Sequence, residues 1–120
     1  MWGMDYPDRY LLFIEYFNHG KFMSAQTTLD EIWLHEESEL KNFYGGLIQL
    51  AVSFYHLMEG NGKGSKKIFE KALELLQPYK KIILGLDVQT LLSESHIVYQ
   101  NVADENVDIA AKSLPKIILS

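Results

Sequence analysis

The stretch Asn42-Phe-Tyr-Gly-Gly-Leu-Ile-Gln-Leu-Ala-Val-Ser-Phe-Tyr-His-Leu-Met-Glu59 decides the fold. In a helix built on it, apolar residues occupy nearly every side, namely Leu47, Ile48, Leu50, Ala51, Val52, Phe54, Tyr55, Leu57 and Met58. A helix that is apolar almost all round is normally buried among other helices. The stretch is too short and too interrupted by glycine and polar residues to span a bilayer. We therefore expect a buried central helix over residues 42–59, with Leu50, Val52 and Phe54 inaccessible to water.

One polar line runs along this central helix. Gln49, Ser53 and His56 stand at positions i, i+4 and i+7, so their side chains share one side. Polar residues on a buried helix need partners, because a buried polar group without a hydrogen bond costs about 1–3 kcal/mol. The line is therefore the first candidate for a polar site.

The composition excludes several classes of protein. A chain of 120 residues with 48% hydrophobic and 22% charged residues is typical of one globular domain. A formal net charge of −5 argues against a primary nucleic-acid binder, which needs a basic surface. The absence of cysteine excludes disulfides and thiolate metal sites and fits a reducing compartment. The acidic, weakly apolar start does not resemble a signal peptide, and we expect a cytoplasmic protein without membrane contact.

Charge is unevenly distributed along the chain. One segment is basic, with Lys63, Lys66, Lys67, Lys71, Lys80 and Lys81, and another is acidic, with Glu31, Glu36, Glu37 and Glu39. Two solvated faces are one interpretation, and a contact between subunits or with a partner is the other. Since five helices also carry more apolar surface than one small bundle hides, we expect a homodimer.

Helical periodicity predicts four further helices around the central one. Apolar residues repeat at helical spacing over residues 7–17, 22–34, 63–76 and from 88 to about 103. Gly20 and the Gly60-Asn61-Gly62 cluster end two of the helices, and Asp87 is placed to cap the fifth. We expect an all-α fold, a compact bundle of about five helices in a single domain over residues 1–103. No sheet is expected, and residues 104–120 form an extension whose apolar end either docks or stays exposed.

The segments resemble the domain of unknown function 309 family, small all-helical proteins of bacteria, archaea and some plastids. The matching stretches are 17–22, Ala25, 29–30, Trp33, 43–44, 46–51, 55–56, 60–61, Gly64, 84–88 and 91–92. Their order and spacing make the match specific although each piece alone is short. The resemblance implies a compact helical bundle and no established biochemical activity.

The resemblance also implies a site on the second helix, and this sequence departs from it. The family's second helix carries a His followed by an acid, then a Glu and a Trp one turn apart. Here these positions hold Gln26, Thr27, Asp30 and Trp33, so only the Trp is unchanged. Glutamine is a poor ligand for zinc or iron. We therefore expect no metal and no cofactor.

The candidate polar site thus comprises Gln26, Asp30, Gln49, Ser53 and His56, with Trp33, Tyr44 and Tyr55 as aromatic neighbours. One hypothesis is a buried polar network that clamps the second helix to the third in a non-catalytic structural or interaction module. The alternative is a small metal- or acid-dependent hydrolase-like enzyme, or a ligand-binding protein, whose site is degraded at Gln26 and Thr27. These two substitutions favour the non-catalytic module.

Overall fold

Five α-helices build the part of the chain that the structure, a computed structural model, describes; it comprises residues 6–103, 112 and 114–120. The helices are α1 Asp8–Asn18, α2 Phe22–His35, α3 Leu40–Met58, α4 Gly62–Leu76 and α5 Val88–Ala103. The predicted all-α fold is confirmed, with a central helix that begins at Leu40 rather than Asn42. None of the described helices combines the length and the apolar character that crossing a membrane requires. The predicted domain boundary after residue 103 stays a prediction, because residues 104–111 lie outside the description.

Glycine turns join the first four helices into two hairpins. Gly20 and Gly60 have φ angles of 75° and 83°, a conformation that glycine adopts at little cost. Each follows the end of a helix, α1 and α3 respectively, and lets the chain reverse within a few residues. At the start of α4 the side chain of Asn61 accepts a hydrogen bond of 3.0 Å from the amide of Gly64. This bond satisfies one of the free amides of the first turn.

The helix α3 lies at the centre of the core. Leu50 and Phe54 are fully buried, as the sequence predicts. Val52 is partly exposed, so the prediction for that residue is wrong. Gln49, Val52 and His56 are all partly exposed and stand at i, i+3 and i+7, so one narrow strip of α3 stays open. The helix is therefore buried on most of its circumference and not on all of it.

Small residues let α3 and α4 approach closely. A Cβ atom added to Gly46 would collide with the side chain of Leu76 and lie 2.6 Å from its Cδ2. Farther along the pair, the hydroxyl of Ser65 donates a hydrogen bond to the carbonyl of Ser53. Both residues are fully buried. Glycine and serine thus shape the closest helix contact in the core.

A minimal β-ladder precedes α5. The strands β1 Ile82–Ile83 and β2 Leu86–Asp87 pair antiparallel across the turn residues Leu84 and Gly85. Both turn residues have positive φ, 47° and 74°, as two-residue hairpin turns require. The prediction of no sheet is therefore wrong in this detail, because the sequence has Leu-Gly where Asn-Gly would signal such a turn. Two residues per strand leave the all-α class unchanged.

The start of α5 follows the prediction. The carboxylate of Asp87 accepts a hydrogen bond of 3.1 Å from the amide of Thr90. A carboxylate at this point satisfies a free amide of the first turn and sits at the positive end of the helix dipole. The predicted cap is confirmed.

The C-terminal tail, residues 114–120, docks on the helical body. Pro115 and Ile117 are buried, and the segment forms neither helix nor strand. The side chain of Asn18 at the end of α1 binds both backbone groups of Ile117, and the amide of Ser120 donates to the carbonyl of Gly85. Of the two states that the sequence left open for the tail, the structure has the docked one.

Candidate functional site

The antiparallel pairing of α2 and α3 places the predicted site residues. The rings of Phe22 and Phe54 meet edge to face with centroids 5.6 Å apart at one end of the pair. At the other end, Trp33 Nε1 lies 3.1 Å from where a Cβ of Gly45 would be. Counting between these two contacts brings Asp30 and Gln26 alongside the middle of α3. The two helices therefore hold the predicted residues in one region of the molecule.

The predicted polar residues do not form a buried network there. Gln26, Asp30, Gln49 and His56 are all partly exposed. Within the described residues, no hydrogen bond joins any of these four side chains to another. The network predicted between the second and third helices is therefore corrected to a strip of separate, half-exposed polar groups. Water can hydrogen-bond such groups, so they need no partner among themselves.

Ser53, the fifth predicted residue, lies on a different side of α3. It is fully buried, and its hydroxyl donates to the carbonyl of Leu50 in its own helix at 2.7 Å. Its carbonyl faces α4, because Ser65 donates to it. Gln49, Ser53 and His56 point in somewhat different directions within one side of α3, and α4 covers only the direction in which Ser53 points. Spacing alone could not reveal where that boundary falls.

The electrostatics of the strip are mild. Partial burial raises the pKa of the Asp30 carboxyl above its ordinary value, since a charged carboxylate loses hydration there. Across the residues that the structure describes, no group of three or more His, Asp or Glu side chains is placed to hold a metal ion. Asp30 and His56 could hydrogen-bond a small polar molecule, but they are not joined to a third group that would orient either of them.

The predicted aromatic neighbours lie in three different settings. The Lys41 ammonium sits 4.4 Å above the Trp33 ring and donates to the Trp33 carbonyl, which ties the start of α3 to the end of α2. Tyr44 is buried in the core, and its pKa is raised by burial and by the charge of Glu36. Tyr55 is half-exposed and donates to Glu59 one turn on, at 3.3 Å. These three side chains therefore do not line one shared space in which a ligand could bind.

The buried polar cluster of this protein lies between α3, α4 and α5. Ser65 Oγ lies 2.6 Å from the hydroxyl of Tyr99, and it donates its single proton to the carbonyl of Ser53. Tyr99 must therefore donate to Ser65. The Tyr99 ring is stacked between Phe69, at 4.4 Å and 14°, and Phe54, at 6.1 Å and 12°. The sequence analysis did not single out Ser65 and Tyr99. The one indication in the sequence was that each carries a hydroxyl on a predicted apolar side of its helix.

Burial dominates the chemistry of this cluster. Removal from water raises the pKa of Tyr99, and the hydrogen bonds with Ser53 and Ser65 only partly oppose that shift. The hydroxyl is thus held neutral, and only 4% of the Tyr99 surface is exposed. Every buried side-chain nitrogen and oxygen in the described residues has a hydrogen-bond partner. The cluster can fix helix register, and it offers no free group to a substrate.

Two surface grooves lie away from the predicted site residues. A groove of about 450 Å³ runs between α4 and α5, and its lining is Leu73, Gln77, Lys80, Gln89, Leu92, Ser93, His96, Ile97 and Gln100. A smaller cleft of about 160 Å³ lies between α5 and the C-terminal tail. Neither contains a predicted site residue. The sequence therefore contained no indication of these concave surfaces, and the predicted site residues lie outside them.

Two curated relatives carry names that assign no activity. One is the "Uncharacterized protein YpuF" of Bacillus subtilis (strain 168), 29% identical over 101 residues, which is 81% of this chain and 58% of the relative. The other is an "Uncharacterized protein" of Aquifex aeolicus (strain VF5), 35% identical over 57 residues, 47% of this chain and 17% of the relative. The chain thus covers little more than half of the first relative and a small part of the second.

A family model gives the classification. It is described as a domain of unknown function, DUF309, and it matches residues 10–68, from the first turn of α1 to the middle of α4. The matched segment contains the whole of α3 and the glycine turns of both helical hairpins. The resemblance stated from the sequence is confirmed, since residues 10–68, just under half of the chain, match the DUF309 family.

Proposed function

We propose that this chain is a non-catalytic helical module that acts by binding other protein chains. One observation carries the proposal: the buried polar side chains already have hydrogen-bond partners within and between helices, while the polar side chains that chemistry would need do not bond one another. Ser53, Ser65 and Tyr99 belong to the first group, and Asp30 and His56 belong to the second. Catalytic sites generally hold their acid, base or metal ligands in a mutually oriented set.

Exposed apolar side chains support the binding role. Large ones stand clear of the core on four helices and in the tail, with Leu34, Met58 and Ile97 more than half exposed. Scattered exposed residues are normal on a protein surface, but Ile97 lies on the rim of the groove between α4 and α5. The net negative charge supports protein rather than nucleic acid as the partner. We expect the module to work in the cytoplasm, since it has no cysteine.

Self-association is part of this proposal. The lysines of α4, including Lys63, Lys67 and Lys71, are exposed, and so are Glu37 and Glu39 at the start of α3. Among the described residues the one salt bridge joins Arg9 and Glu31 at 2.8 Å, so these two charged clusters are not neutralised by each other. They are available for pairing between two copies, and we expect a homodimer that weakens as salt screens the charges.

Calorimetry with zinc, manganese and iron(II) tests the non-catalytic part. We expect no stoichiometric uptake by the wild type, and identical traces for the matched variants Asp30→Asn and His56→Gln. Stoichiometric uptake that either variant abolishes would overturn the proposal, because the substituted side chain would then be a metal ligand. Light scattering over the micromolar range, at low and high salt, tests the homodimer separately; a monomer at low salt would remove it.

A further inference from the structure

The docked tail binds its groove through backbone atoms at two places. Asn18 Oδ1 accepts from the amide of Ile117 at 2.7 Å, and Asn18 Nδ2 donates to the carbonyl of the same residue at 2.8 Å. Three residues on, the amide of Ser120 donates to the carbonyl of Gly85 at 2.9 Å. A side-chain amide that bonds both backbone groups of one residue holds an extended chain whatever its side chains are.

Side-chain burial alternates along the tail. Pro115 and Ile117 are buried and Leu119 is half-buried, whereas Lys116 and Ile118 are exposed. Ile117 and Ile118 differ most, with 4% and 86% of their surface exposed. Alternation of this kind, with backbone bonds for affinity and pockets for every second side chain, is how proteins bind extended peptides.

The groove itself is rigidly built. Its walls are the end of α1, the turn of the β-ladder and the first turns of α5. Leu84 holds a positive φ of 47° in that turn, which is uncommon for a residue with a side chain. Its carbonyl accepts from the hydroxyl of Tyr10 at 3.0 Å, while the next carbonyl, that of Gly85, accepts from Ser120. The strained turn thus presents one carbonyl to the core and the next to the tail.

The cleft beside the tail adds a charge preference. Asp87, Thr90 and Glu94 of the α5 side line it together with Lys116 and Ile117 of the tail. Two carboxylates in the same cleft as the residue before the buried isoleucine favour a basic residue at that position. The tail supplies that residue as Lys116.

We propose that this groove is a recognition site for an extended segment of another protein, with the pattern proline, basic residue, aliphatic residue, and that the chain's own tail occupies it as a tethered competitor. The inference rests on the proposed binding role and names its site and ligand class. Because the tail belongs to the same chain as the groove, its docking is intramolecular and competes with any segment that binds from another chain. A partner's segment therefore binds only when it outcompetes or displaces the tail.

Two matched variants of the full chain test the groove. Ile117→Asp places a charge at the buried position that anchors the tail, and we expect it to release the tail. Ile118→Asp places the same charge one residue on, at an exposed position. The probe is a fluorescent peptide of residues 114–120, and fluorescence anisotropy gives its affinity. We expect the Ile117→Asp chain to bind the peptide at least about tenfold more tightly than the wild type and the Ile118→Asp chain.

Specificity is checked in the released chain. A peptide with Asp at the anchor position should not bind, and adding Asn18→Ala to Ile117→Asp should weaken binding about fivefold or more, because two hydrogen bonds are lost. If Ile117→Asp does not fold by circular dichroism, the wild type titrated with millimolar peptide replaces it. The amide signal of the chain's own Ile117 should then shift in nuclear magnetic resonance spectra, because the peptide takes its place beside Asn18.

Three results would overturn the proposal. They are a folded Ile117→Asp chain that binds the peptide no better than the wild type, equal binding of the Asp-substituted peptide, and an unchanged amide signal of the chain's own Ile117 in the titration. Dissociation of a homodimer by excess peptide would make a second copy's tail the occupant, and this too would overturn the assignment to another protein. Calorimetry that still shows no metal uptake would leave the non-catalytic role standing in each case.

Discussion

The hydroxyl of Tyr99 on α5 lies 2.6 Å from Oγ of Ser65 on α4, in a fully buried position between stacked aromatic rings. Because Ser65 donates in turn to the carbonyl of Ser53 on α3, one short chain of hydrogen bonds crosses three helices. A helix slipped by one residue would leave buried polar atoms unpaired. This relationship fixes the register of the second half of the bundle.

Removing the Tyr99 hydroxyl tests that role. Tyr99→Phe keeps the aromatic stack and deletes the donor to Ser65, so we expect the free energy of unfolding to fall by about 1–2 kcal/mol. Tyr55→Phe is the matched control, since its hydroxyl makes only an exposed bond to Glu59 and should change stability by less than about 0.5 kcal/mol. Chemical denaturation measures both. Equal midpoints for the two variants would mean that the buried chain of hydrogen bonds is not stabilising.

Buried tyrosines also predict a loss of stability at alkaline pH. Burial is the main cause that raises the pKa of Tyr10, Tyr44, Tyr79 and Tyr99 above the ordinary value. The folded chain therefore keeps these protons where the unfolded chain releases them, so stability is full below about pH 10 and falls as the pH rises beyond it. Denaturation midpoints at about pH 8 and pH 11 measure the loss. A simultaneous, reversible ionisation of all seven tyrosines without unfolding would contradict it.

The glycine contact between α3 and α4 predicts a steric effect. A Cβ at position 46 would collide with Leu76 of the buried core, so Gly46→Ala should cost about 1–3 kcal/mol despite alanine's better helix propensity. Gly45→Ala is the control. Its nearest neighbour is the side chain of Trp33 at 3.1 Å, which can move by a few tenths of an ångström. Thermal unfolding should rank Gly46→Ala clearly below Gly45→Ala, and the reverse order would contradict this account of the packing.

The fold could be predicted from the sequence because its helices are strongly periodic and its breaks are chemically distinct. The continuous apolar run of α3 predicted a central helix, and Gly20, Gly60 and Asp87 marked the ends that the structure has. The short β-ladder was not predictable, since Leu84 adopts a positive φ that its residue type disfavours. Tertiary contacts of Tyr10 and Ser120 with that turn hold it in place.

The candidate site could be predicted only in part. Helical spacing put Gln49, Ser53 and His56 on one side of α3, but it could not show that α4 covers Ser53 while Gln49 and His56 stay partly exposed. The Ser65–Tyr99 contact joins α4 to α5 across a large separation in sequence. The docking of Ile117 depends on Asn18, almost the full length of the chain away. Such pairings depend on how helices stack, which periodicity within one helix does not encode.

The last prediction concerns Asp30, whose carboxyl pKa is raised by partial burial. A raised pKa means that the folded chain favours the protonated acid, so the ionised carboxylate opposes folding once the pH exceeds that pKa. Asp30→Asn removes this charge and keeps the shape. We expect equal or higher stability than the wild type near neutral pH, with no difference below about pH 3, where the wild-type carboxyl is protonated.

Glu31→Gln is the matched control for Asp30→Asn, because its carboxylate is one residue on and pairs with Arg9 at 2.8 Å on the surface. Losing an exposed salt bridge costs at most about 1 kcal/mol, so this change should have the opposite sign or none. Denaturation midpoints of both variants across the acidic range report the difference. A clear loss of stability in Asp30→Asn at neutral pH would mean that the carboxylate has a charge-dependent partner. The hydrogen-bonded site between α2 and α3 that the residue pattern first indicated would then have to be restored.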